Sequence, residues 1–140
     1  MSKIDLLKPK VKKLAEQLLI ECKKRGIDLT ITQTLRTIEE QNKLYAIGKT
    51  KPGKIVTNSR GGYSFHNYGV AFDFCPVRSG RAIWNDIALF DAIGRLGVKL
   101  GLEWGGNWSK FKDRPHFQYT GGYSIKDYIN KKIDWQRFEA

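Results

Sequence analysis

The sequence predicts an α+β fold, a small antiparallel β-sheet flanked by helices. Three observations predict it. Apolar residues recur at helical spacing in two long segments, residues 10–25 and 86–99. They alternate with other residues in two short ones, 27–33 and 69–75. Strands and helices follow no regular βαβ order, which argues against a parallel sheet.

Each element has a local reason. In 10–25, Val11, Leu14, Ala15, Leu18, Leu19 and Cys22 share one helical face, lysines fill the other, and Gly26 is a stop signal. Cys22 reads as a small core hydrophobe. Ile27, Leu29 and Ile31 alternate in a half-buried strand. Thr37 and Glu40 form a capping-box pattern, so a helix is expected from Ile38 to about Ile47, ended by Gly48. Residues 49–62 hold Pro52, Gly53, Gly61 and Gly62 and read as a strongly basic loop. That loop is either a solvated surface segment or a rim that steers substrate. In 69–75, Val70, Phe72 and Phe74 take one face, and Ala71, Asp73 and Cys75 the other. Ile87, Phe90, Ile93 and Leu96 mark a second long helix, with Asn85 as the expected N-cap. Residues 101–108 read as a strand entering a tight turn, 116–119 as a last strand, and Ser124 opens a short helix.

The chain has 140 residues, the length of one domain, expected here to span 1–140 with no room for a second ordinary one. Lys and Arg number 25 against 14 Asp and Glu, a net charge of +11, which predicts an anionic partner such as nucleic acid, acidic lipid or an anionic wall polymer. Two cysteines, Cys22 and Cys75, make no disulfide framework. The apolar runs are too short to span a membrane, and the lysine-studded first twenty residues lack the apolar core of a signal peptide.

The two histidines, His66 and His116, carry the chemical interest. Asp73 follows His66 by seven residues, and Asp113 precedes His116 by three. Catalytic zinc commonly takes three nitrogen or oxygen ligands and keeps one position open. His66, Asp73 and His116 supply such a set, and Gly69 lets the chain fold back between the first two. Taken singly, a histidine is more often structural and a strand aspartate often pairs with an arginine. Spacing alone leaves the metal site undecided.

Residues 64–73 read SxHxxGxAxD, fixing Ser64, His66, Gly69, Ala71 and Asp73. Residues 113–118, Asp-Arg-Pro-His-Phe-Gln, follow in the right order. Together these motifs resemble the M15 family of zinc peptidases, the VanY-like and D-alanyl-D-alanine carboxypeptidases. Trp104-Gly-Gly-Asn-Trp108 is similar to the family's L-alanyl-D-glutamate endopeptidases of the phage endolysin and CwlK type. The likeness covers about residues 28–120. It implies the D-Ala-D-Ala-peptidase-like fold and one Zn²⁺ per chain held by His66, Asp73 and His116. It places Asp113 at the catalytic acid–base position, where many relatives carry glutamate. It places Arg36 toward the substrate or its developing oxyanion, and Ser64 as a hydrogen-bonding support. Asn107 stands where subgroup members often have aspartate and is given no catalytic role. Glu103 is the alternative carboxylate, with a strand-end charge as its plainer reading. Cys75 is either a fourth ligand or, more plainly, a buried neighbour.

The resemblance implies hydrolysis of the L-Ala–D-Glu bond of the peptidoglycan stem peptide. A phage endolysin is the expected setting, made in the host cytoplasm without a signal peptide and acting at the wall as a monomer. Three readings compete: a D-Ala-D-Ala carboxypeptidase of the same family, a zinc-containing binding module without catalysis, and a basic nucleic-acid-binding or nuclease protein. No helix-turn-helix, zinc-finger or RNP pattern supports the last, and neither nucleic acid nor membrane is the expected partner.

Overall fold

A computed structural model describes residues 3–139. Helix α1 (Pro9–Lys24) starts on a proline, whose missing N–H costs nothing at a helix start. It buries Val11, Leu14, Ala15, Leu18 and Cys22, the face that the spacing predicts. Strand β1 (Asp28–Gln33) leads to α2 (Ile38–Ala46), which opens on the Thr37–Glu40 capping box. A 3₁₀ turn (Phe65–Tyr68) precedes β2 (Ala71–Arg78). That strand starts two residues later than the alternation predicts, because Gly69 takes a left-handed φ of 74° to end the turn. It also runs three residues further, into a hairpin with β3 (Arg81–Ala82). Ser79 and Gly80 hold positive φ of 52° and 75° in the connecting turn, as tight hairpins require.

Helix α3 (Ile87–Leu100) is capped by Asp86 rather than Asn85, its carboxylate accepting from Leu89 N–H. Strand β4 (Glu103–Trp104) runs into a 3₁₀ turn (Gly105–Asn107), and β5 (His116–Gln118) follows. Helix α4 (Ile125–Ile129) has a Ser124–Asp127 capping box, and a 3₁₀ turn (Trp135–Phe138) ends the described chain.

The sheet order is β1-β2-β5-β4, antiparallel throughout, with β3 also on β2. Phe72, Phe74 and Phe117 are buried in one core with the apolar faces of α1 and α3. Helix α3 comes close to the sheet through two glycines. A Cβ on Gly94 would lie 2.3 Å from the Trp104 ring, and one on Gly97 2.3 Å from the Phe117 ring. Asp73 alternates with Phe72 and Phe74 along β2, so its carboxylate projects away from this aromatic core.

Candidate active site

Strand register brings the first two groups together. Asp73 on β2 is the cross-strand partner of His116 on β5. The third arrives on the Phe65–Tyr68 turn. Ser64 caps that turn, its hydroxyl accepting from His66 N–H at 3.2 Å. Arg36 N–H donates to the His66 carbonyl at 2.9 Å, and Asn67 Nδ2 donates to the Arg36 carbonyl at 2.9 Å. These bonds fix the turn to the segment between β1 and α2. Ligand atoms of His66, Asp73 and His116 lie within 4.8 Å of one another.

The hydrogen bonds settle what each ring offers. The Thr34 carbonyl can only accept, and it lies 2.8 Å from His66 Nδ1, which therefore carries the proton. In the neutral ring, Nε2 is then a lone pair, and it faces Asp73 Oδ1 at 3.2 Å. His116 is arranged the same way. Its Nε2 donates to Gln118 Oε1 at 2.8 Å, and its Nδ1 faces the same Asp73 oxygen at 3.1 Å. Two imidazole lone pairs and one carboxylate oxygen converge on one point. They repel unless protons or a metal cation lie between them. Rings held through their outer N–H by a carbonyl or amide oxygen are the usual arrangement behind metal-ligating histidines. The donor set fits a metal centre with nitrogen and oxygen ligands.

Electrostatics agree. Burial opposes ionisation of Asp73, but hydrogen bonds and charge from His116 and His66 outweigh it and hold the carboxyl well below the usual carboxylate range. Burial likewise disfavours protonation of His116, yet Asp73 raises its pKa above that of an ordinary imidazole. The site therefore draws positive charge to its centre.

Other candidate residues ring this centre. Arg36 Nη2 is 3.8 Å from Asp73 Oδ2, and its Nη1 donates to Gln41 Oε1 at 2.8 Å. Among the described residues, its buried Nε has no hydrogen-bond partner. Asp113 Oδ2 lies 4.0 Å from His116 Nδ1. Desolvation pushes the Asp113 carboxyl above the ordinary value, His116 opposes the rise, and Asp73 adds to it. The main chain at Asp113 is pinned, with its N–H donating to the Gly105 carbonyl at 3.0 Å. A Cβ on Gly105 would meet the Asp113 carbonyl oxygen at 2.3 Å, so only glycine allows that approach.

His66, Asp73, His116, Asp113, Arg36 and Ser64 all line one cleft of about 920 Å³. The basic loop reaches it through Val56, Thr57, Asn58 and Ser59, so part of that loop is a rim of the site. Glu103 does not line the cleft. Its carboxylate accepts from Thr120 N–H and Oγ1 at 3.0 and 2.8 Å, a strand-end role. Cys22 and Cys75 are free and buried, and the Cys75 thiol donates to the Ile83 carbonyl at 3.4 Å, away from the cluster.

Comparison with known proteins gives this geometry a family. A family model described as D-alanyl-D-alanine carboxypeptidase, of the M15 peptidases, matches residues 57–119. The peptidoglycan L-alanyl-D-glutamate endopeptidase CwlK of Bacillus subtilis strain 168 is 41% identical over 121 residues, covering 80% of this chain and 72% of that protein. The chain belongs to the M15 peptidase family. An L-alanyl-D-glutamate peptidase of Listeria phage A118 is 30% identical over 124 residues, covering 86% of this M15 chain and 40% of the phage protein. The crystal structure of the Serratia marcescens L-Ala D-Glu endopeptidase ChiX shares the fold, with a TM-score of 0.64 at 21% identity, covering 91% of this chain and 87% of that one.

Several residues of this M15 site escape a reading of the sequence. Gln118 and the Thr34 carbonyl set the histidine tautomers, and Gln41, fully buried, bridges Arg36 and the rim loop by donating to the Ser59 carbonyl at 2.7 Å. Trp108 packs its ring 5.2 Å from that of His116. A glutamine in a charged helix gives no signal of this role in the sequence, because its burial shows only in the fold. A backbone carbonyl leaves none.

Proposed function

We propose that this chain hydrolyses the L-Ala–D-Glu bond of peptidoglycan stem peptides, using one zinc ion held by His66, Asp73 and His116. One observation carries the reading: two tautomer-locked imidazoles aim their lone pairs at one carboxylate oxygen on the floor of an open cleft. When bound there, zinc supplies Lewis acidity, lowering the pKa of water to about 7 and polarising a carbonyl.

The chain's own residues do the rest. Asp113, with its pKa raised by desolvation, takes the proton of the attacking water and delivers it to the leaving amine. Arg36 lines the cleft with Nη2 directed toward Asp73, where its guanidinium meets the oxyanion, a contribution of about 2.7–4 kcal/mol where such a donor is preorganised. Gln41 holds Arg36 in place, and Ser64 holds the turn that carries His66. The names of the relatives support the bond assignment. A phage lysis enzyme is the setting we favour, supported by the phage relative. The bacterial relative makes wall remodelling the second reading. One peptidase unit spanning the chain accounts for all of these residues.

Zinc titration into chelator-stripped protein tests the ligand assignment. One site per chain is expected, and His116→Ala should lose both the site and the activity while the chain stays folded. Asp113→Ala should keep the metal and lose at least a hundredfold in rate. Full turnover by His116→Ala contradicts the assignment.

A further inference from the structure

The cleft has two unlike walls. Val77 pairs with Asp28 of β1 and with Ala82 of β3, so those strands lie on opposite edges of β2. The β1 edge leads through Arg36 to the rim at 56–59. On this wall the cation that lines the cleft is Arg36, and five further Lys or Arg residues with no carboxylate lie in the stretch between Gln41 and Phe72 behind it. The opposite edge carries β3 and β5 end to end, and beside them the cleft is lined by Trp84, Phe111, Lys112, Asp113 and Pro115, with the Lys112 ammonium donating to the Gly106 carbonyl at 3.1 Å.

On that second wall two aromatic side chains face solvent. Trp84 is 56% exposed, its ring stacked on Phe90 at 6.4 Å, and Phe111 is 77% exposed. Phe111 also holds a φ of 54°, a left-handed conformation that bulky residues rarely take. Exposed apolar surface and backbone strain beside a cleft both mark places where a ligand is held. Neither residue has a part in the hydrolysis described above.

The substrate chemistry says what they hold. L-Ala is the first residue of the stem and is joined through a lactyl group to muramic acid. With its carbonyl at the metal, the sugar lies one residue away, roughly 3.5 Å of chain plus the lactyl link. A pyranose offers a face of C–H bonds to an aromatic ring, and aromatic rings bring a large apolar surface at little entropic cost. The rest of the stem carries free carboxylates and suits the wall that holds Arg36.

We propose that Trp84 and Phe111 form a sugar subsite, which seats the muramyl unit while the acidic stem lies toward Arg36 and residues 56–59. The subsite rests on the L-Ala–D-Glu assignment. Its test compares a MurNAc-tetrapeptide with the free tetrapeptide, products being identified by mass spectrometry. Wild type should cleave both after L-Ala, with the higher kcat/KM on the sugar-bearing substrate. Phe111→Ala and Trp84→Ala should each lower the ratio of the two kcat/KM values by about tenfold, mainly through KM on the sugar-bearing substrate. Phe111→Ala guards against misfolding, because that side chain is mostly in solvent. Correct cleavage with equal kcat/KM on both substrates, or a ratio unmoved by either variant, overturns the subsite alone. Release of D-alanine by wild type overturns the bond assignment and the subsite together.

Discussion

His116 offers a lone pair to the cluster because Gln118, two residues along the same strand, accepts from its other nitrogen. Gln118 Nε2 in turn donates to Glu103 at 3.5 Å, which orients the amide. Replacing Gln118 with leucine removes the acceptor and frees the ring to change tautomer. Zinc affinity should then fall about 10–100-fold while the fold is kept, as measured by competition with a chromophoric chelator. Unchanged affinity would mean that the amide does not set the tautomer. His66, Asp73 and His116 were legible as candidates because the chain has only two imidazoles and both fall, with Asp73, in two spaced motifs. Gln118, Gln41 and the Thr34 carbonyl were not. They act through a hydrogen bond to another residue, and nothing in their own type announces it.

Helix α3 shows what sequence periodicity conveys and what it omits. Its buried face was readable from Phe90 and Ile93, with Leu96 partly buried, whereas Ile87, read on the same face, sits in the first turn and is 57% exposed. Gly94 and Gly97 look like weaknesses in a helix, each costing about 1 kcal/mol against alanine. The structure gives their reason, since the Trp104 and Phe117 rings occupy the space of the missing side chains. Phe117 adjoins His116 in β5, so this packing also sets where the strand bearing His116 lies. Gly97→Ala should gain helix propensity but overpack the core by about 1–3 kcal/mol. A fall of several degrees in Tm is expected, and an unchanged or higher Tm would contradict the close approach. Capping signals served well at Thr37 and Ser124, where hydroxyl and carboxylate sit three residues apart. At α3 both Asn85 and Asp86 could cap, and only the backbone geometry chooses Asp86. The β2–β3 hairpin was missed because two paired residues are too few to show alternation.

Across the whole molecule, a net charge of +11 suits the proposed substrate, a stem peptide that carries free carboxylates. The cationic stretch from Lys43 to Arg60 borders the cleft, so attraction acts where substrate enters. Raising salt shortens the Debye length from about 10 Å at 0.1 M and should slow digestion of intact walls several-fold, while a short soluble stem peptide is cleaved at nearly the same rate. Equal salt sensitivity on both substrates would place the charge effect in the chemical step instead. The sign of this charge was plain from composition, but its location was not. Residues 49–62 read first as a solvated loop and only second as a rim, and Gln41 and Asn42, bonded to the Ser59 carbonyl and Gly61 N–H, hold that loop against the cleft.

The most direct test is digestion of purified peptidoglycan, with mass spectrometry of the released ends, with and without a metal chelator. New D-glutamyl amines that vanish with chelator and return with zinc are the predicted result. Undiminished cleavage in the presence of chelator, after the metal has been shown to be stripped, would contradict a hydrolysis built on His66, Asp73 and His116.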